Sequence, residues 1–236
     1  KKVLIVTDDF LSKSAHYQVL KESLEKEGIE YLLETNVKPN PRAEDCDAMA
    51  KVAIEEKVDA IIALGGGSSM DAAKVMWLMY ENPEVNFDDI KQKFMDIRKR
   101  AFKFPELGKK AKMICIPTTS GTGSEVTPFA VITDKKENKK YPLTDYALTP
   151  TIAIVDPEFV MSLPGAIAAD TGIDVLTHAV EAYVSILASD FTDGWAKQAV
   201  KLVFDYLEES VKKGTPIARE KMHNAATIAG MAFANA

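Results

Sequence analysis

The sequence predicts a mainly parallel, Rossmann-like α/β sheet domain followed by the beginning of an all-helical domain. Three observations support this. Short β-branched runs alternate with charged, helix-periodic segments through the first half of the chain, as in a parallel sheet covered on both faces. Turns rich in glycine and hydroxyls leave the ends of two such runs, at Gly65–Ser69 and Pro117–Ser124. From Pro164 onward only helical periodicity remains.

Val3–Thr7 is a β-branched run ending in Asp8-Asp9, as a buried parallel strand should be. Tyr17–Glu27 has helical spacing, and Gly28 stops it. Tyr31–Glu34 reads as a second strand. The rigid Pro39-Asn40-Pro41 loop then leads into a helix over Ala43–Glu56. Asp59–Leu64 is an apolar third strand that runs into the glycine turn, and Met70–Tyr80 resumes as helix. Lys112–Ile116 is another strand, opening into Pro117–Glu125. Phe129–Thr133 and Tyr141–Leu143 flank a polar stretch as a hairpin, and Ile152–Val155 adds one more strand. Helices follow at about Asp170–Leu187, Asp193–Val211 and Ala218–Ala236, with a domain boundary near Leu163-Pro164: residues 1–163 and 164–236. The final segment is small and apolar nearly all round, as in a helix inside a bundle. It carries no stop signal, so the natural chain is expected to continue.

With 236 residues, 47% hydrophobic and 27% charged, the chain is long and apolar enough for a substantial core. A net charge of −6 disfavours nucleic-acid or anionic-membrane partners. The basic stretch Lys91–Lys103 is interleaved with apolar residues and reads as a solvated helix face. No apolar run reaches the ~18–20 residues that span a bilayer. Cys46 and Cys115 are far apart and suggest no disulfide framework, so the expected location is cytoplasmic.

In open parallel sheets, ligands bind beyond the carboxyl ends of the strands. Gly65–Ser69 leaves such an end and opens a helix, where glycine lets backbone approach and free N–H groups hold phosphate oxygens. It is neither GxGxxG nor a Walker loop, and a plain strand-to-helix turn explains it as well. Asp8, at another strand end, can accept both hydroxyls of an adenosine ribose and would repel a 2′-phosphate. Asp174 and His178, one helical turn apart, offer an oxygen and a nitrogen to one divalent metal. A salt bridge is the plainer reading, Glu181 is a possible third donor, and His16 and His223 read as surface or packing residues.

Together, Asp8, Pro39-Asn40-Pro41, Gly65–Lys74, Pro117–Thr127 and Gly172–Tyr183 resemble the iron-dependent (group III) alcohol dehydrogenases across the whole chain. Lys93–Arg100, Phe104-Pro105 and Tyr141–Asp145 look more like one branch, the alcohol dehydrogenase half of the bifunctional aldehyde-alcohol dehydrogenases of fermenting bacteria. The resemblance implies NAD as cofactor, with Asp8 at the adenosine ribose and Asn40 on the adenine side. Gly66, Gly67, Ser68, Ser69, Met70 and Asp71 would lie at the pyrophosphate, Thr118, Thr119 and Thr127 along the cofactor, and Lys140 near the nicotinamide ribose. Asp174 and His178 match the first two ligands of an Fe2+ site, which Zn2+ could also occupy. The family's further histidines have no counterpart in these residues, so the chain alone is expected to hold no stoichiometric iron. The implied substrates are a short primary alcohol and its aldehyde, ethanol and acetaldehyde foremost. The implied assembly is a homo-oligomer fused to an aldehyde dehydrogenase domain. Two rival readings are a catalytically silent nucleotide-binding fragment and a glycerol dehydrogenase or dehydroquinate synthase-like enzyme.

Overall fold

A computed structural model of the chain describes residues 1–85, 105–135, 137 and 139–236. The basic stretch Lys91–Lys103, and with it Lys93–Arg100 and Phe104, lies outside the described residues. The chain forms two compact units: Lys1–Cys115 with Pro128–Ile152, and Ile116–Thr127 with Ala153–Ala236. The expected boundary near Leu163-Pro164 follows where strand periodicity stops. The compact units divide at Ile152 instead, and the segment after the fourth strand joins the helices.

The strands are β1 (Lys2–Val6), β2 (Glu30–Glu34), β3 (Ala60–Gly65), β4 (Lys112–Pro117) and β7 (Ile152–Ala153), in the order β2-β1-β3-β4-β7. β1 runs parallel to both β2 and β3, with Val6 opposite Glu34 on one side and Ala63 on the other. Leu4, Ile5, Val6, Ile61, Ala63 and Leu64 are buried, as strands covered on both faces require. The connecting helices are α1 (Ala15–Lys26), α2 (Ala43–Glu56) and α3 (Gly67–Glu81). Ser14 caps α1 by accepting from the Tyr17 amide. α3 is buried along nearly its whole length, and two of its buried residues, Lys74 and Glu81, carry charge. Glu81 accepts from the amides of Gly108, Lys110 and Ala111, so its carboxylate holds the approach to β4. The expected hairpin forms a separate two-stranded sheet of β5 (Phe129–Asp134) and β6 (Lys139–Thr144). β7 is shorter than the expected Ile152–Val155, because Asp156 caps a 3-10 turn that begins at Pro157.

In the second unit, α4 (Gly165–Val184), α5 (Asp190–Lys212) and α6 (Pro216–Asn235) pack around Val175, Ala179, Ala199, Val203, Met222, Ala225 and Ala229. α4 begins directly after Pro164, earlier than the expected Asp170, and ends at Val184 because Ser185 turns to extended backbone. Ser189 and Thr192 form a reciprocal capping box at α5, and Thr215 caps α6 with Pro216 behind it. No described helix is long and apolar enough to cross a membrane.

The loop Ile116–Thr127 packs against these helices through backbone that tolerates no side chain. A Cβ on Gly121 would lie 2.7 Å from the Thr171 Cβ. Gly123, at φ +62°, would place one 2.8 Å from the Gly230 Cα and 3.0 Å from the Ala226 carbonyl oxygen. Both the conformation and the space require glycine there. Gly123→Ala is therefore expected to destabilise the protein by about 2–4 kcal/mol, from overpacking plus a positive φ. Gly194→Ala, on a helix with open space around it, should be neutral or slightly stabilising. Urea unfolding of the two variants side by side checks the contrast, and equal effects would contradict it.

Candidate functional site

The parallel register brings two candidate features to one rim of the sheet unit. Val6 pairs with Ala63, so the residues that follow, Asp8 and Gly65, leave neighbouring strand ends. Asp8 Oδ1 accepts from the amides of Phe10 at 2.9 Å and Leu11 at 2.8 Å, which fixes the carboxylate. Gly65 has φ +155°, and a Cβ on it would lie 2.4 Å from Ser69 Oγ and 3.5 Å from Leu11 Cδ1. The chain thus turns from β3 into α3 directly beside the Asp8 loop. Gly66 caps α3 without a side-chain hydrogen bond, and the first helical bonds to it come from Ser69 and Met70. The amides of Gly67 and Ser68 sit ahead of those bonds, at the positive end of a helix dipole, where an anion is favoured. Ser69 and Met70 point into the core rather than outward. Sequence reasoning assigned the phosphate turn to Gly66–Asp71 and missed that Gly65 is the position where no other residue fits.

Asn40 is exposed and left-handed at φ 56°, and Pro41 beside it accepts from the Thr133 amide at 2.8 Å. Lys140, exposed on β6, lies directly opposite Thr133. Asp71 is half-buried, and its Oδ2 accepts from the Val131 amide at 2.9 Å. Lys74, which sequence reasoning left without a role, is fully buried and donates to the Phe129 carbonyl at 2.7 Å.

In the helical unit Thr118 and Thr127 are buried and Thr119 is half-buried, all on the loop that packs against α4 and α6. Asp174 and His178 share one face of α4, with Oδ1 and Nε2 3.8 Å apart. That is too long for a hydrogen bond and within the reach of two ligand bonds of about 2.1 Å to a shared ion. His178 packs on Phe233 at 5.0 Å between ring centroids, which orients the imidazole. Its Nδ1 is buried with no hydrogen-bond partner among the described residues. The donor chemistry, one carboxylate oxygen and one imidazole nitrogen, suits divalent iron or zinc. Among the described residues no third histidine, cysteine or carboxylate joins them, and Glu181 is exposed. The pair therefore fits a metal as two donors of a larger set.

His223 is a packing residue, as its isolation in the sequence suggested. Its Nδ1 lies 3.2 Å from Ser120 Oγ, and one turn further along α6 Thr227 donates to the buried Glu125 carboxylate at 2.7 Å. These two contacts join the loop to α6.

Residues 1–157 match the iron-containing alcohol dehydrogenase family, and residues 168–236 match the C-terminal part of the Fe-containing alcohol dehydrogenase family. The aldehyde-alcohol dehydrogenase of Streptococcus pneumoniae is 61% identical over 238 residues, covering 100% of this chain and 27% of that protein. This chain thus spans about a quarter of the length of such relatives. The solved iron-containing alcohol dehydrogenase of Thermococcus thioreducens superimposes with a TM-score of 0.91 at 34% identity, over 100% of this chain and 60% of that one. The sulfoacetaldehyde reductase of Bifidobacterium kashiwanohense, solved in complex with NAD+, gives a TM-score of 0.88 at 34% identity, over 100% and 59%.

The burial of His223 has a measurable consequence. Burial pulls its imidazole down to about 4, against a smaller upward pull from Asp156. The unfolded chain regains the ordinary value near 6.5. Between those values the unfolded state binds the extra proton, so stability falls as the pH drops from about 6.5 towards 4. The expected loss from this group is up to about 3 kcal/mol. His223→Gln, which does not titrate, should flatten that part of the profile. Urea midpoints of both proteins between pH 7 and 4 decide it, and parallel profiles would contradict the assignment.

Proposed function

The chain belongs to the iron-containing alcohol dehydrogenase family, and on that premise we propose that its parent protein is an NAD-dependent oxidoreductase. It interconverts a short primary alcohol, ethanol foremost, and the corresponding aldehyde in fermentation. The reading extends to a homo-oligomer and to fusion with an aldehyde dehydrogenase domain, the fusion supported by the identity to an aldehyde-alcohol dehydrogenase over the full length of this chain.

The observation that carries the cofactor assignment is the shared rim of Asp8 and the Gly65 turn. Gly66, Gly67 and Ser68 would take the pyrophosphate on backbone amides, with Ser69 and Met70 anchoring the turn from below. Asp8, held by the amides of Phe10 and Leu11, would accept from the ribose hydroxyls. Asn40 would border the adenine, and Lys140 would reach the ribose next to the nicotinamide. Thr118, Thr119 and Thr127 would complete the cofactor's lining. Asp174 and His178 would supply two of the ligands to iron(II).

When bound, the metal supplies a Lewis acid for the substrate oxygen, and NAD supplies the hydride acceptor or donor. The chain's own contribution is orientation. The glycine turn fixes the dinucleotide through its phosphates, and the packing of His178 on Phe233 holds one metal ligand in a single orientation. Asp8 selects NAD over NADP by charge, because a 2′-phosphate would meet a carboxylate.

Asp8→Gly in the intact protein tests this. It is expected to weaken NAD binding by ~1–2 kcal/mol through lost charge-assisted hydrogen bonds, while NADP loses its repulsion. The NAD/NADP ratio of kcat/KM should therefore shrink. An unchanged ratio would remove Asp8 from the cofactor site.

A further inference from the structure

Along an antiparallel pair, alternate residues turn their backbone N–H and C=O toward the partner strand and away from it. In the β5–β6 hairpin, Phe129 lies opposite Thr144, Val131 opposite Pro142 and Thr133 opposite Lys140. Pro142 has no N–H, which identifies Val131 as a residue whose backbone groups face outward. Phe129 and Thr133, two residues either side, face the same way. One outward group on each of these residues meets a partner within the sheet unit. Lys74 Nζ donates to the Phe129 carbonyl at 2.7 Å, the Val131 amide donates to Asp71 Oδ2 at 2.9 Å, and the Thr133 amide donates to the Pro41 carbonyl at 2.8 Å. Asp71 and Lys74 are three residues apart on α3 and so share a face. One supplies an acceptor and the other a donor, in the places a neighbouring strand would have filled.

We infer that Asp71 and Lys74 are positioning residues: a two-point clamp that fixes the β5–β6 hairpin to the helix of the glycine turn. The clamp sets the position of Lys140 relative to Gly66–Met70. This inference rests on the proposed cofactor reading of the sheet unit. Lys74 is 0% exposed, and an ammonium is buried so completely only where its hydrogen bonds are met. Asp71 is committed to a backbone amide. A carboxylate turned toward a pyrophosphate would instead oppose it electrostatically. The clamp works at both ends of one helical turn, and the Pro41 carbonyl extends it to the Asn40 loop. The hairpin, the helix of the glycine turn and the Asn40 loop, three of the four segments proposed to touch the cofactor in this unit, therefore share one strand, β5, as their common support.

The distinction between clamp and ligand lies in what Asp71 must be: an oxygen acceptor for the clamp, an anion for a ligand. Asp71→Ala removes the acceptor, whereas Asp71→Asn keeps an oxygen that can accept from Val131. Two quantities are measured on the intact protein: the Kd for NAD+ and amide hydrogen exchange across Phe129–Asp134. Asp71→Ala is expected to weaken NAD+ binding about tenfold, one power of ten in Kd, and to speed exchange at Val131. Asp71→Asn should stay within about twofold of the parent in both. The loss caused by Asp71→Ala should shrink in a Lys140→Ala background, since the clamp acts through Lys140. Equal losses in the Ala and Asn variants, unchanged exchange at Val131 in the Ala variant, or strict additivity with Lys140→Ala would each overturn the clamp. If Asp71→Ala does not fold, Asp71→Asn decides alone, and its retained affinity and slow exchange support the clamp while their loss overturns it. If the parent protein binds no NAD+, the cofactor reading fails by itself, and exchange at Val131 still judges the clamp.

Discussion

Parallel pairing of β1 with both β2 and β3 is the constraint on which the sheet unit depends. Parallel strands cannot be joined by tight hairpins, so every connection must cross over and every strand end of one polarity gathers at one rim. Here that rim receives the Asp8 turn and the Gly65 turn side by side. The buried faces of β1 and β3 leave little freedom in register, because a one-residue slip would exchange every core side chain for its neighbour. The rim's geometry is thus inherited from the core. What the rim adds is local chemistry: a carboxylate held by two amides, and a helix start left without a side-chain cap.

A different device governs the helical unit. Its interior is built largely from alanine and glycine, which let α4, α5 and α6 approach closely and let the Ile116–Thr127 loop press against them. Such packing gains dispersion contacts from proximity and loses them steeply when a methyl group intrudes. The polar contacts of the loop, the buried pair Ser120–His223 and the partly buried pair Glu125–Thr227, are spaced one helical turn apart on α6. They specify which face of α6 the loop meets, a matter that small apolar residues alone decide poorly.

Much of this was legible in the sequence because it is local. Strand runs, the glycine turn, the hairpin and the three late helices all announce themselves within windows of ten or twenty residues. The start of α4 is less legible: it begins at Gly165 rather than near Asp170, since Pro164 ends the preceding extended segment without preventing helix immediately after it. The roles that escaped sequence reading are the non-local ones. Asp71 finds its partner 60 residues away at Val131, and Lys74 finds its own 55 residues away at Phe129. Nothing in a helical pattern says that a lysine will be buried, because its stem is compatible with either surface or core. His223 and Ser120 are 103 residues apart, so only the fold discloses which polar contact the lone histidine makes. Gly121 and Gly123 of the Pro117–Thr127 loop serve close packing in the helical unit, a role that depends on residues about 50 and 100 positions further along the chain.

On the proposed reading, the Gly65 turn and the Asp8 loop form one dinucleotide site on the sheet unit. The most direct measurement is a titration of isotope-labelled protein with NAD+, followed by amide NMR shifts. The backbone amides of Gly66, Gly67 and Ser68, with those of Phe10 and Leu11 behind Asp8, should move together along one saturable curve. If NAD+ saturates the protein and these five amides stay where they were, the site lies elsewhere and the claim is wrong.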